Sequence, residues 1–289
     1  MIKIIVDSTC DLPQDIMDLY DIKMLPLRIS VNGKEYIDKV TMQVDKVYDS
    51  MRSGVIPKTS QPSPADMYNL FREYCIKGYN FFYLAFSSKL SGTFQTASLI
   101  IKELKEKYSQ IKMEVIDSKG GSTGTGLIAL QAAKLIKDGQ KFEQILKSIF
   151  DLRDHVEHIF TITDLSWLIK GGRISKAAGM IGNILDVKPI LDVNDGIMEV
   201  IKKVRGKKKA LSAIVDIVEE RIKNFPDQII GISHADDLKT AQTLIDAIKD
   251  KLGDKKVIIN KIGSVLGSHL GIGGVGVFFF NKKPDFYVE

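Results

Sequence analysis

The sequence predicts a two-domain α/β protein, with a parallel sheet in the first half and a mixed sheet in the second. Its 289 residues correspond to roughly two domains of about 150 residues each. In the first half, short apolar runs alternate with segments of helical period, which is typical of parallel βαβ units. The second half adds a β-hairpin to such units, which favours a mixed sheet. We expect the domains to comprise residues 1–157 and 158–289.

The first half is predicted to begin with a buried strand at 2–6, because all but one of these residues are apolar. A helix follows from Asp11-Leu12-Pro13, since proline is favoured in a first helical turn. The Asn32-Gly33 dipeptide predicts a hairpin turn between two extended segments, 23–31 and 34–37. The same alternation then predicts helices at 44–53, 65–77, 92–108, 125–138 and 142–156, and strands at 80–86 and 112–116.

The second half is predicted to begin with a strand at 158–162, followed by a helical turn that ends at Gly171. Asn194-Asp195-Gly196 is a turn-forming tip, so 187–193 and 197–204 should form a hairpin. Residues 263–271 form a glycine- and serine-rich stretch that we interpret as a loop. The remaining pattern predicts helices at 207–224 and 238–252, and strands at 228–233, 256–262, 275–280 and 286–288.

The composition is that of an ordinary globular protein, with 44% hydrophobic and 27% charged residues. The chain has two cysteines, Cys10 and Cys75, so we expect reduced thiols and a cytoplasmic location. We expect no signal peptide, because a strand pattern starts at once, and no apolar run approaches the ~20 residues that span a bilayer. The net charge of +5 is compatible with an acidic partner or a membrane surface without requiring nucleic acid.

Three polar segments are candidates for a binding site. An apolar run at 81–86 ends in hydroxyl groups, with Ser91-Gly92-Thr93 directly before a predicted helix. The start of a helix offers free N–H groups and a favourable dipole to an anion. Thr59-Ser60 lies in a second hydroxyl-rich turn, and His269 is the titratable group of the loop at 263–271. The alternative for Thr59 and Ser91 is structural, since such residues commonly cap helices and turns.

Nucleotide and metal chemistry is poorly supported. Residues 271–276 satisfy GxGxxG as a string, but a predicted strand follows where the dinucleotide fingerprint needs a helix. The chain has no GxxxxGK[ST] phosphate loop, and its four histidines are not spaced as metal ligands. We expect His155 and His158 to be solvated at the domain edge.

Two functional alternatives remain open from these residues. Ser233-His234 forms part of an incomplete GxSxG pattern, so a hydrolase or transferase could use Ser233/His234 or Ser91/His269, although Ser233 also suits a helix cap. The basic run at 202–209 could bind a phosphate, a lipid headgroup or an acidic protein. It has no interleaved aromatic residues, which disfavours nucleic acid as a partner.

Taken in order along the chain, these segments resemble the DegV family. Each is short, and the specificity lies in the ordered set, which spans nearly the whole chain. The matching segments are IVDSTCDLP at 5–13, TSQP at 59–62, SSKLSGT at 87–93, VIDS at 115–118, GGRIS at 171–175, KPIL at 188–191 and GSHLGIGG at 267–274.

The resemblance implies a protein that binds one long-chain fatty acid between its two domains. Such proteins are non-catalytic subunits of a bacterial fatty acid kinase, and a separate ATP-using subunit makes the acyl phosphate for phospholipid synthesis. The resemblance implies no cofactor and no metal, and the net charge of +5 leaves a membrane surface open as a transient partner. The apolar segments 167–169, 180–185 and 190–191 are candidates to contact the acyl tail, with ordinary core packing as the alternative.

The resemblance also implies roles for individual residues. Thr59 and Ser91 would hydrogen-bond the carboxylate, and His269 would assist them. Two arginines, Arg173 and Arg205, would face the kinase subunit, and Arg205 lies within the basic run at 202–209. The neighbouring residues assigned to the carboxylate site are Ser60, Gly92 and Thr93.

Overall fold

A computed structural model of the chain describes residues 1–175 and 186–289. The first half contains a four-stranded sheet in the order β2-β1-β6-β7, and all its strands are parallel. Its strands are β1 (Ile2–Asp7), β2 (Ile22–Leu25), β6 (Asn80–Ala85) and β7 (Met113–Asp117). The parallel α/β prediction for the first half is therefore confirmed.

A small antiparallel sheet lies beside the first one, in the order β4-β3-β5. It consists of β3 (Arg28–Val31), β4 (Lys34–Ile37) and β5 (Lys58–Ser60). The Asn32-Gly33 turn joins β3 to β4, and both residues have positive φ, as a tight hairpin turn requires. The hairpin prediction is confirmed, but β5 is a strand where we expected only a turn.

The second half contains a six-stranded mixed sheet in the order β10-β9-β8-β13-β11-β12. Strands β11 and β12 are parallel, and the other neighbouring pairs are antiparallel. Its strands are β8 (Val156–Thr161), β9 (Val187–Asn194), β10 (Ile197–Arg205), β11 (Ile229–His234), β12 (Lys256–Lys261) and β13 (Val275–Phe280). The mixed sheet was predicted; the domain division at 157/158, which falls inside β8, stays a prediction.

The helices surround the sheets in the alternation that the sequence predicted. None of those in the described ranges is both long and apolar enough to cross a bilayer. They are α1 (Gln14–Leu19), α2 (Val44–Arg52), α3 (Pro64–Ile76), α4 (Thr93–Lys107), α5 (Ser122–Lys137), α6 (Phe142–His155), α7 (Ser166–Lys170), α8 (Lys207–Arg221), α9 (Leu238–Leu252) and α10 (Ser264–Leu270).

Helix α5 lies between the two large sheets and is buried on all sides along most of its length. It contacts β1 of the first sheet and β8, β11 and β13 of the second. A helix without a polar face belongs in a protein interior. One apolar core accordingly runs from Val6 and Leu84 of the first sheet, through Ile128 of α5, to Phe278 and Phe280 of the second.

Two sequence predictions about the C-terminal part are wrong. The stretch we interpreted as a loop contains helix α10, whose residues Ser264, Gly267 and Ser268 are buried. Residues 286–288 do not form a strand. Instead the backbone of Val288 donates to and accepts from the side-chain amide of Gln131 on α5, so the chain end is attached to a helix.

Candidate ligand-binding site

An apolar cavity lies where the ends of the sheets meet α10 and the β9–β10 hairpin. Its empty space, counting the part that is open to solvent, is about 930 Å³. The second sheet supplies one wall, since Phe160 on β8 and Phe278 on β13 face the cavity while Ile159 faces a separate core. The other apolar wall residues include Leu27, Phe86, Val193, Met198 and Leu266.

A pair of polar side chains from opposite ends of the chain marks one end of the cavity. The hydroxyl of Thr59 lies 2.8 Å from Nε2 of His269, although 210 positions separate them. Strand β5 holds Thr59 opposite Ile29 of β3, and α10 holds His269. The neighbouring Ser60 also lines the cavity.

The turn before α4 brings Ser91 to the same cavity. The backbone N–H of Ser91 donates to the carbonyl of Ser87 at 3.0 Å, which folds the turn tightly after β6. The Ser91 hydroxyl lines the cavity and lies 2.8 Å from the Thr93 hydroxyl. Gly92 and Thr93 are not part of the cavity wall; Gly92 precedes the first turn of α4, and Thr93 is buried behind Ser91.

His269 is a neutral ring at physiological pH. Burial, and secondly the positive charge of Arg173, lower its pKa to about 4. Its Nδ1 has no hydrogen-bonding partner in the described part of the chain. Gly171 leaves room for the ring, because a Cβ there would lie 2.1 Å from Nδ1. The end of the cavity therefore offers hydroxyl and imidazole groups without a fixed charge of their own.

The two arginines assigned to a partner surface have different surroundings. Arg173 lies in the cavity wall, where its Nε donates to the carbonyl of Leu90 at 3.2 Å and its Nη1 to that of Gly171 at 2.6 Å. It therefore joins the Ser91 turn to the segment beside His269. Arg205 is exposed at the end of β10. Their contact with a partner stays a prediction.

Of the residues expected to contact an acyl tail, some line the cavity and others do not. Leu168 of α7 lines the cavity. Ile190 is instead buried in the core formed with α8 and α9, outside the cavity wall. Residues 180–185 lie outside the described residues.

Sequence reasoning missed His158, which is 3% exposed and lines the cavity. The prediction that it is solvated is wrong. Strand β8 is an inner strand of the second sheet, and α5 covers the face of β8 that carries His158. Alternation along the strand places it on the same face as Phe160, and this was the available signal. His155, at the end of α6, is only partly exposed and bonds the carbonyl of Asp151.

The geometry does not assemble the alternative catalytic pairs. Ser233 is buried, is hydrogen-bonded to Ser122 and Thr123, and is not part of the cavity wall. The next residue, His234, points to the opposite face of β11, where Nδ1 accepts from the backbone of Asp237. In the described ranges, no hydrogen bond joins Ser91 to His269, and no cluster of histidine, cysteine or acidic residues could hold a metal ion.

The fold and this cavity define a class: α/β proteins with an apolar ligand cavity, polar at one end, between two sheets. Comparison with known proteins identifies the family. The model of the DegV family, described as uncharacterised proteins, matches residues 1–282. A DegV domain-containing protein of Clostridium perfringens is 37% identical over 285 residues, which cover 98% of each chain. The chain belongs to the DegV family.

Solved structures of the same family agree with this fold. A DegV family protein from Thermus thermophilus, described by its fatty acid binding, has 30% identity and a TM-score of 0.89 over 96% of this chain and 99% of that one. DegV of Bacillus subtilis, a fatty acid binding protein, has 29% identity and a TM-score of 0.85 over 96% and 99%. A stearic acid-binding protein from Eubacterium ventriosum has 26% identity and a TM-score of 0.90 over 96% and 97%.

Proposed function

We propose that this chain binds a long-chain fatty acid in the cavity and presents its carboxylate to a separate ATP-dependent kinase subunit. The observation that carries the proposal is the cavity itself, whose apolar walls end at the Thr59–His269 pair and Ser91. Relatives of this fold bind fatty acids. We place the function in the cytoplasm, since both cysteines are free and buried.

The two ends of a fatty acid need different surroundings. Each methylene gains about 0.8 kcal/mol on leaving water, so the apolar walls can hold a tail against its tendency to enter membranes. The carboxylate costs several kcal/mol to bury without partners. We propose that the hydroxyls of Thr59 and Ser91 donate to it, supported by Ser60, Gly92 and Thr93 of the same turns and by the His269 ring.

Uncharged hydrogen-bond donors suit a carboxylate that must later react with ATP. Hydroxyl groups and a neutral imidazole satisfy a carboxylate without the strong charge pairing that would hinder its transfer. An ionised carboxylate needs no general base to attack ATP, so the chain itself needs no catalytic residue for this role. The cationic stabilisation and the metal that phosphoryl transfer requires would come from the kinase subunit.

Fatty acid binding is tested by native mass spectrometry of the purified protein, followed by delipidation and titration with stearate. We expect a bound mass that matches a fatty acid, and renewed binding after delipidation. Protein that is repeatedly isolated empty and also takes up no added stearate would contradict the proposal.

Presentation to a kinase is tested separately with the Arg173→Ala variant. Arg173 bonds two backbone carbonyls at the cavity wall, so Arg173→Ala removes no hydroxyl of the proposed carboxylate site. We expect fatty acid binding to persist while acyl phosphate formation, measured with the ATP-binding subunit of a fatty acid kinase, slows. Arg72→Ala, at an exposed position of α3, is the matched control. A variant that no longer binds fatty acid would show that Arg173 contacts the fatty acid and not the kinase subunit.

A further inference from the structure

The outer part of the β9–β10 hairpin contributes to the cavity wall but lies beyond the backbone pairing that holds its base in the second sheet. The pairing of β9 with β8 ends at Leu191, which lies opposite Phe160. Residues 193–198, which we call the flap, follow this point. Within the flap, Val193 and Met198 lie opposite each other on the two strands, and both line the cavity.

A β-bulge lies at the base of the flap. The register of β10 against β9 shifts between Val200 and Lys202, so Ile201 is an extra residue in β10. Val200 pairs with Leu191, so the bulge adjoins the point where the pairing with β8 ends. A bulge interrupts the ladder and bends the strand locally. The flap can therefore bend about this base while the rest of the hairpin stays in the sheet.

Two polar contacts attach the flap to the first half of the chain. The Ser87 hydroxyl donates to the Gly196 carbonyl at 2.7 Å, and Nζ of Lys119 lies 2.9 Å from the Asp195 carboxylate. The Asp195 side chain is 68% exposed, and exposed ion pairs contribute little to stability. We call these two contacts the latch. Opening it breaks one hydrogen bond and one exposed ion pair, and it leaves the apolar core around α5 intact.

The flap also borders the protein surface. A polar cleft beside it is lined by the latch residues Lys119 and Asp195, and Val193 belongs to the walls of both this cleft and the apolar cavity. Val193 and Met198 are only partly buried, whereas a wall residue of the sheet such as Phe278 is 4% exposed. Movement of the flap would thus open the cavity towards the surface cleft.

We propose that the flap is the gate through which a fatty acid enters and leaves the cavity, and that the latch sets how often this gate opens. This inference rests on the proposed fatty acid binding and concerns the route of the ligand. An acyl tail can pass under a raised flap without separation of the two large sheets. Because opening precedes both entry and exit, a weaker latch raises both rates by the same factor and leaves the Kd unchanged.

The test is stopped-flow kinetics with parinarate, an intrinsically fluorescent long-chain fatty acid, whose release is followed after mixing with excess stearate. We expect Ser87→Ala to raise the association and dissociation rates about fivefold each, the effect of one lost hydrogen bond. Asp195→Asn removes the charge and keeps a residue type that suits the positive φ at this position. It should raise both rates by roughly 1.4- to fivefold, as expected for an exposed ion pair.

Each variant has a matched control outside the hairpin. Ser98→Ala removes a hydroxyl that bonds the Phe94 carbonyl at 2.7 Å within α4. Asp254→Asn removes the charge of an exposed carboxylate that lies 2.8 Å from Nζ of Lys249. Both controls should keep the wild-type rates.

The outcomes separate this inference from the proposed function. Wild-type rates in the double variant Ser87→Ala/Asp195→Asn would overturn the gate while leaving fatty acid binding intact. A faster dissociation rate alone, with weaker affinity, would equally overturn it, because such a change indicates a lost contact with the ligand. Wild-type protein that binds neither parinarate nor stearate would refute the proposed function itself. The surface variant Asp195→Asn decides the matter if Ser87→Ala folds poorly.

Discussion

Replacing Thr59 by valine removes one hydroxyl from the cavity and keeps the shape of the side chain. In the structure that hydroxyl pairs with His269 at 2.8 Å, and we propose that it donates to the bound carboxylate. A hydrogen bond to a charged group contributes about 1.5–3 kcal/mol. At 1.4 kcal/mol per factor of ten, Thr59→Val should weaken fatty acid binding by roughly 10- to 150-fold.

The assay is titration of delipidated protein with stearate by calorimetry. Thr59→Ser keeps a hydroxyl and should stay close to wild type. Thr243→Val is the matched control, because the Thr243 hydroxyl bonds the Lys239 carbonyl within α9 and Thr243 is not part of the cavity wall. Wild-type affinity in Thr59→Val, with a normal melting temperature, would refute the assignment of the carboxylate to this end of the cavity.

A double variant examines the shared contact more closely. If Thr59 and Ser91 both donate to one carboxylate, Thr59→Val and Ser91→Ala should show coupled effects on affinity, and their combined loss should differ from the sum of the single losses. Strict additivity would indicate that the two hydroxyls act at separate places.

Two further predictions concern stability. Because burial lowers the pKa of His158 from 6.5 to about 4, the unfolded chain binds a proton that the folded chain excludes as pH falls between these values. The wild type should therefore lose about 3 kcal/mol more unfolding free energy than His158→Phe between pH 7 and 4, which urea titrations would detect and equal losses would contradict. Ser87→Ala removes the hydroxyl that donates to the Gly196 carbonyl at 2.7 Å. It should cost about 1 kcal/mol and speed hydrogen exchange in the β9–β10 hairpin, whereas unchanged exchange would mean that this bond does not hold the hairpin.

The regular elements of the fold could be predicted because their signals are local. The parallel strands of the first half are apolar runs, and the tip at Asp195-Gly196 has the positive φ values that its residue types favour. Strand β5 could not be predicted, because three residues with one partly buried side chain carry no periodic signal. Its pairing depends on β3, which only the tertiary structure brings beside it.

Glycines were the source of the error at α10. They suggested a loop, but Gly267 serves close packing, since a Cβ there would lie 2.4 Å from the Tyr48 hydroxyl. Gly271 is the residue that ends the helix, with φ of +75°. Glycine thus has two roles here, close packing at Gly267 and helix termination at Gly271. The sequence alone does not distinguish them, because the packing role depends on the contact with α2.

The polar residues of the site could be named from the sequence, but not their arrangement. Thr59, Ser91 and His269 come to one cavity because β5, the α4 turn and α10 converge there. His158 carries no motif of its own, and its burial depends on which face of the second sheet α5 covers. Long-range packing of that kind has no local signature in a single sequence.

The burial of α5 has a consequence for how the protein unfolds. Because both large sheets pack on the same helix, neither sheet can lose its cover without exposing the apolar face that the other one needs. We therefore expect the two halves of the chain to unfold together. A ligand held by residues 59, 91 and 269 would then stabilise both halves at once and slow proteolysis of the whole chain.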